Sequence, residues 1–213
     1  NVKVYILELA FGNRQFQVTD PTNPQHLQLR TWHELWHKEN MINIAVNRLL
    51  PKDWHYMAWV DTDVFWRNKN WAQETMHQLQ HYQVVQPWQH CVDLDFHGGI
   101  LTTFESFCSV NHRGERMQTN PGQPYKYAHT GYAWACTKTF WENLYGRGLL
   151  DRCIVGSADH HQAWGMIGKI DHSIHKDMDE SYKRYAHAWQ DAIYPITNGK
   201  LGFVKTRIEH VFH

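Results

Sequence analysis

The chain has 213 residues, and its 21 Lys+Arg balance 21 Asp+Glu, so the formal charge is zero with histidine neutral. That length suits one domain with a full core, read here as residues 1–213. The charge balance lacks the basic excess of a nucleic-acid binder, and no apolar run approaches the roughly 20 residues of a membrane span.

Val2 to Leu9 mixes alternation with a continuous apolar run and predicts a strand. Gly12-Asn13 turns the chain, and the alternation of Phe16 and Val18 predicts a second short strand over 15–18. The two prolines of Asp20-Pro21-Thr22-Asn23-Pro24 make a loop. From about Leu35 to Leu50 the period becomes helical, with Ile42, Ala45, Val46 and Leu49 on one face and Pro51 as the stop. Tyr56 to Val60 then reads as a buried central strand.

Asn70 is the expected N-cap of a helix, with Gln73 at the reciprocal position. Val84-Val85 is a short strand. Residues 87–128 show weak periodicity and read as a long irregular region, a feature that tends to be functional. Gly131 to Cys136 alternates as a strand, and Thr137 caps a short helix through Leu144. Ser157 is the expected cap of a further helix ended by Gly168, with Asp159 in its first turn. A longer helix spans about 177–192. Short strands over 201–204 and 208–212 close the chain.

Cys91, Cys108, Cys136 and Cys153 are scattered, with no C-x-x-C pair. They read as reduced thiols of a cytosolic protein, with two disulfides as the alternative that an even count leaves open. No signal peptide is visible, and residue 1 is Asn.

Asp61 and Asp63 follow the Tyr56–Val60 run directly. In extended backbone, residues i and i+2 share a face, so both carboxylates lean into one volume. An α/β sheet binds its ligands beyond the carboxyl ends of its strands. Two like charges about 4 Å apart repel by roughly 4 kcal/mol at an effective dielectric near 20. A divalent cation with oxygen ligands removes that cost. The plainer reading is an acidic loop in which one Asp caps the next turn.

Four stretches, in this order, resemble the nucleotide-sugar-dependent glycosyltransferases of GT-A fold. Leu35 to Asn43 is a Lys- and Asn-bearing helix start ahead of Ala58-Trp59-Val60-Asp61-Thr62-Asp63. Thr130 to Trp141 looks like the glycine-containing strand and helix on the acceptor side. Leu149 to His160 is similar to the Gly-Gly-x-Asp/Glu segment of polypeptide N-acetylgalactosaminyltransferases and galactosyltransferases, although Ser157 and Ala158 follow Gly156 here. Arg207 to His213 looks like the late histidine segment of those enzymes. The nearest group by pattern is the small GT-A enzymes that include viral capsid-glycan transferases.

This resemblance implies an α/β, Rossmann-like fold: a mixed, mostly parallel central sheet flanked by helices, lacking its first strand and helix. Residues before Asn1 and after His213 are therefore expected in the native protein. It implies a metal-dependent hexosyltransferase that moves a sugar from a nucleotide diphosphate sugar, UDP-linked, to a glycan or glycoprotein acceptor. A cytoplasmic monomer or weak dimer of viral or bacterial origin is expected, with no nucleic-acid partner and no membrane span.

In this reading Asp63 binds the ion directly, Asp61 touches the ion or the ribose, and His210 supplies the third protein ligand. Carboxylates mixed with imidazole suit Mn²⁺, or Mg²⁺. His213 competes for the ligand role or meets a phosphate. The donor side includes Lys38, Asn43 and Thr62, and His97-Gly98-Gly99, whose glycines let backbone approach the sugar. Asp93-Leu94-Asp95, a second Asp-x-Asp, reads as loop or as an acceptor contact. Asp159 is the catalytic candidate, taking the acceptor proton in inverting transfer or positioning the sugar in a retaining enzyme. Two other classes remain: a sugar nucleotidyltransferase, which calls for an early Gly-rich phosphate loop, and a non-catalytic carbohydrate-binding module, which needs the aromatics but not the carboxylate pair with a late histidine.

Overall fold

The computed structural model describes residues 2–118, 127–144, 146 and 148–212. It is a mixed α/β chain whose sheets contain both parallel and antiparallel strands, flanked by helices. It divides into two compact units, Asn1–Trp54 with Arg147–Ala158, and His55–Gly146 with Asp159–His213.

In the first unit, β1 (Ile6–Phe11) and β2 (His26–Thr31) pair in parallel, with Ile6 opposite His26 and Phe11 opposite Thr31. Helix α1 (Lys38–Arg48) packs on β1. The strand expected over 15–18 is instead loop, because the Glu8 carboxylate gathers its backbone. Glu8 accepts from the amides of Gln17 (2.6 Å), Val18 (3.1 Å) and Thr19 (2.8 Å). Those amides are the ones a strand partner needs. They hold the Glu8 carboxyl well below its ordinary range, at about 2.

The second unit holds two four-stranded sheets. One has the order β3-β8-β5-β9, formed by β3 (Tyr56–Val60), β8 (Ala133–Thr137), β5 (Val84–Gln86) and β9 (Gly202–Phe203). The other has the order β4-β10-β6-β7, formed by β4 (Val64–Trp66), β10 (Arg207–His210), β6 (His90–Leu94) and β7 (Ile100–Glu105). Strand β3 is therefore an edge strand, antiparallel to β8, and its residues alternate between exposed and half-buried. The apolar run suggested a buried centre. The fully buried strands of this sheet are β8, which lies between β3 and β5, and β5 itself.

The region 87–128, read as irregular, contains the β6–β7 hairpin and α3 (Phe107–His112). Polar residues such as His90, Asp93, Thr102 and Thr103 weaken the periodicity of those strands. Helix α2 (Trp71–Gln78) packs over β9, and Leu79, Val85, Ala135 and Val204 form a core cluster beneath it. Asn70 precedes α2 without a side-chain cap. Asn68 organises that start, accepting from the Asn70 amide at 2.9 Å and donating to Glu74 at 2.8 Å.

Thr137 does cap α4 (Lys138–Glu142), accepting from the Phe140 amide at 3.1 Å. Helix α5 (Ala158–Met166) follows Ser157, whose φ of 68° lies outside the extended region a capping serine uses. Asp179 caps α6 (Glu180–Thr197), whose Ala186, Trp189 and Ile193 are buried. The four cysteines are buried, with no disulfide among the described residues. No described helix is long and apolar enough to cross a membrane.

Candidate functional site

The two acids of Asp61-Thr62-Asp63 lie on a turn and not on a strand end. Strand β3 stops at Val60 and β4 starts at Val64, and the Val64 amide donates to the Asp61 carbonyl at 3.4 Å. The chain passes here from one sheet to the other, so the same-face argument for an extended pair does not apply. Backbone anchors fix the turn on both sides. The Asp61 amide donates to the Tyr132 carbonyl (2.8 Å), and the Val211 amide donates to the Asp63 carbonyl (3.0 Å).

Strand β10 lies between β4 and β6, antiparallel to one and parallel to the other. His210 stands opposite Val64 on the first and Asp93 on the second. That register brings one imidazole between two carboxylates. His210 Nε2 is 3.4 Å from Asp63 Oδ2, and Nδ1 is 3.3 Å from Asp93 Oδ1. The three side chains are 21–26% exposed, so the cluster is sheltered but open to small ligands.

From sequence, Asp93 reads as loop or as an acceptor contact. It lies in β6, two positions after Cys91, and both side chains turn toward Tyr132. The Tyr132 hydroxyl donates to Asp93 Oδ1 at 2.8 Å, and Cys91 Sγ is 3.7 Å from the same oxygen. Burial and the neighbouring Asp93 carboxylate push the Cys91 thiol far above its ordinary range. Burial, together with the Cys91 and Asp93 neighbours, does the same for the Tyr132 phenol. Both groups stay protonated and serve as donors. The signal for Asp93 was the second Asp-x-Asp itself, with Cys91 at the alternating position before it. Nothing in the sequence marked Tyr132.

Tyr132 has a φ of 71°, a conformation rare for a bulky residue and costing of order 1–3 kcal/mol. Packing holds it there. Its ring stacks on His129 (4.2 Å, 11°), meets Trp88 edge-on (5.4 Å) and lies 5.0 Å from His210. Trp88 is fully buried, and its indole donates to the Ala133 carbonyl at 3.2 Å. On the other face of β10, the covered Glu209 carboxylate pairs with Arg67 and Arg207, each at 2.6 Å, which ties the strand to its neighbour.

Asp159 is half-buried in the first turn of α5 and accepts from Thr130 Oγ1 at 3.0 Å. A Cβ added at Gly131 would stand 3.3 Å from Asp159 Oδ2 and 2.9 Å from the His129 ring. The Thr130-Gly131 segment and Asp159 are thus brought together, one residue from Tyr132. Thr62 is exposed on the turn.

His97, Gly98 and Gly99 form the tip of the β6–β7 hairpin. Asp95 Oδ1 accepts from the amides of His97 (2.8 Å) and Gly99 (2.7 Å). The turn itself requires both glycines, since φ is 80° at Gly98 and a Cβ at Gly99 would fall 2.6 Å from Asp95 Oδ2.

Lys38 and Asn43 belong to the first unit. Lys38 opens α1 and is half-buried. The Asn43 side chain is buried, donating to the Leu149 carbonyl (3.1 Å) and accepting from the Leu149 amide (2.8 Å). His213 lies outside the described residues. Among the described residues, no three His, Cys, Asp or Glu side chains converge closely enough to cage a metal ion. The structure brings Asp63 and His210 together and does not gather Asp61 with them into such a group.

No protein-family model matches the chain, and no curated protein or solved structure is significantly similar to it.

Proposed function

We propose that the chain is a metal-dependent glycosyltransferase of GT-A type that moves a sugar from a UDP-sugar to a glycan or protein acceptor. The observation that carries the reading is the His210 ring between two carboxylates, with Nε2 3.4 Å from Asp63 Oδ2. A neutral imidazole has one N–H and satisfies one carboxylate. The other contact sets a lone pair against an anion. A proton or a divalent cation between Nε2 and Oδ2 removes that conflict, and a carboxylate with an imidazole is a donor pair that suits Mn²⁺ or Mg²⁺. Ions of this kind take one or two protein carboxylates and complete their shell with water and substrate phosphates, so a closed protein cage is not needed.

Asp63 and His210 would hold the ion, with Asp61 turned to the ion or the ribose. When bound, a divalent ion stabilises the charge that builds on the β-phosphate as the nucleotide leaves. The remaining work falls to the chain. The strained Tyr132 backbone anchors the Asp61 amide and so sets the acidic turn. Asp159, steadied by Thr130, is the carboxylate for the acceptor side: it takes the hydroxyl proton as the new C1–O bond forms, or positions the sugar if configuration is retained.

The test is hydrolysis of a panel of UDP-sugars with Mn²⁺, comparing the natural chain with Asp63→Ala. Mn²⁺-dependent release of UDP that disappears in the variant is the expected result. Equal release by both proteins would sink the assignment.

A further inference from the structure

We propose that the cleft between α2, α3 and β9 is a saccharide subsite that holds one pyranose ring, separate from the Asp63–His210 cluster. Helices α2 and α3 both pack on β9, the two-residue edge strand of its sheet. Beside that strand lies a cleft of about 460 Å³, a size that suits a small ligand. None of the residues that line it belongs to the candidate site described above.

One part of the lining is aromatic. A Cβ added at Gly202 would fall 2.6 Å from Tyr82 Cδ2, so the Tyr82 ring lies against the strand where no side chain intervenes. Phe203 follows on β9 and meets the His112 ring edge-on at 5.8 Å. Tyr82 and Phe203 are both half-buried, which leaves part of each ring open to a ligand. The other part is polar. Glu74 and Gln78 stand four residues apart on α2 and so share one face of it. Asn68 donates to Glu74 Oε1 at 2.8 Å and steadies that carboxylate. Lys205, exposed just after β9, lines the same cleft.

This mixture selects among ligand classes. A pyranose has an apolar C–H face that packs on an aromatic ring, and a rim of hydroxyls that each donate and accept. Glu74 accepts, Lys205 donates, and the Gln78 amide does both. A wholly apolar ligand would strip water from Glu74 and Lys205 without replacing it. A simple anion would face the Glu74 carboxylate. A metal ion would need converging ligands, and among the described residues no such group exists. Under the glycosyltransferase reading the subsite would tether a long acceptor and raise the concentration of its reacting end. The proposal itself does not require that reading.

The experiment titrates the full chain, free of metal and nucleotide, with the methyl glycosides of glucose, galactose, mannose and N-acetylglucosamine. Binding is read by saturation-transfer difference NMR. At least one glycoside should receive saturation, strongest on the C–H protons of one ring face, with an affinity of roughly millimolar order. Phe203→Leu keeps bulk but removes the ring, and Glu74→Gln keeps an oxygen for Asn68. Each should weaken binding about 2–10-fold, and Asp63→Ala should bind as the natural chain does. Thermal unfolding checks that the variants fold; if Phe203→Leu does not, Glu74→Gln carries the test.

Absence of saturation transfer to all four glycosides overturns the proposal, as does transfer that the folded cleft variants leave unchanged. Transfer lost in Asp63→Ala also overturns it, since the sugar would then lie in the candidate active site. The readout uses no metal, nucleotide or transfer reaction, so this proposal and the function proposed above fail separately.

Discussion

The Tyr132 hydroxyl, from the residue that precedes β8, donates to Oδ1 of Asp93 on β6 at 2.8 Å, and its own backbone has a φ of 71°. Removing that hydroxyl leaves the ring stack on His129 in place. Tyr132→Phe is therefore expected to fold, to lose about 1–3 kcal/mol of stability in denaturant titration, and to bind Mn²⁺ less tightly. Unaltered stability in this variant would show that the contact carries no weight.

Metal and nucleotide are expected to bind together. UDP alone should shift the thermal midpoint little, and UDP with Mn²⁺ should raise it. At a hundredfold excess over Kd the stabilisation is about 2.7 kcal/mol. An equal shift in the presence of EDTA would point to a metal-free nucleotide site. His210→Ala should abolish the Mn²⁺-dependent part.

Asp159→Asn separates chemistry from donor binding. Its partner Thr130 can still donate to the amide oxygen. UDP and Mn²⁺ affinity should hold, while transfer to acceptor falls by about 10²–10⁴-fold. Full transfer activity in Asp159→Asn would remove the residue from the reaction.

The pH dependence of stability should centre on His161. Burial, and then the neighbouring His160, holds its imidazole well below the ordinary range, at about 4. Its Nδ1 lies 2.9 Å from Ser173 Oγ, whose own proton goes to the Ile170 carbonyl at 2.7 Å. The unfolded chain takes up a proton near pH 6.5 that the folded chain refuses until about 4. The unfolded state thus binds more protons in that window, and the stabilising contribution, complete above about pH 6.5, is lost as pH falls toward 4. Denaturant midpoints between pH 7.5 and 4.5 should fall, and His161→Gln should flatten the slope. An identical slope in the variant would place the effect elsewhere.

Asn43 offers a sharp choice between two roles. Both of its polar atoms engage the backbone of Leu149, and a Cβ at Gly148 would stand 2.3 Å from its Oδ1. Asn43→Ala is expected to lose about 1–3 kcal/mol by leaving those backbone groups without their partner, with UDP affinity unchanged. A variant that keeps its stability but loses UDP affinity would return Asn43 to the donor side.

What could be read from the sequence tracks how each residue gains its surroundings. The limits of Tyr56–Val60 and the Thr137 cap are local properties, and both appear in the structure. The acidic turn was visible as a motif, but its backbone was misread, because whether a chain continues straight or crosses to another sheet is decided by partners far away. Gln15–Val18 looked like a strand until Glu8 claimed its amides. Asp93 does not read as a strand residue from sequence, because a strand carrying His90 and Asp93 shows little apolar alternation. It meets His210 because β6 and β10 pair in that register, which no local pattern encodes.

The position of β10 between β4 and β6 has a consequence for how the protein is made. Both neighbours leave the ribosome long before the strand that joins them. Until Arg207–His210 arrives, β4 and the β6–β7 hairpin have no shared backbone ladder, and two unpaired strand edges stand open. Closure over such a sequence distance is slow, and open edges invite pairing with other chains. The nascent protein should therefore aggregate most readily just before synthesis of this strand, and the gap between Asp63 and Asp93 acquires its histidine only when the strand docks.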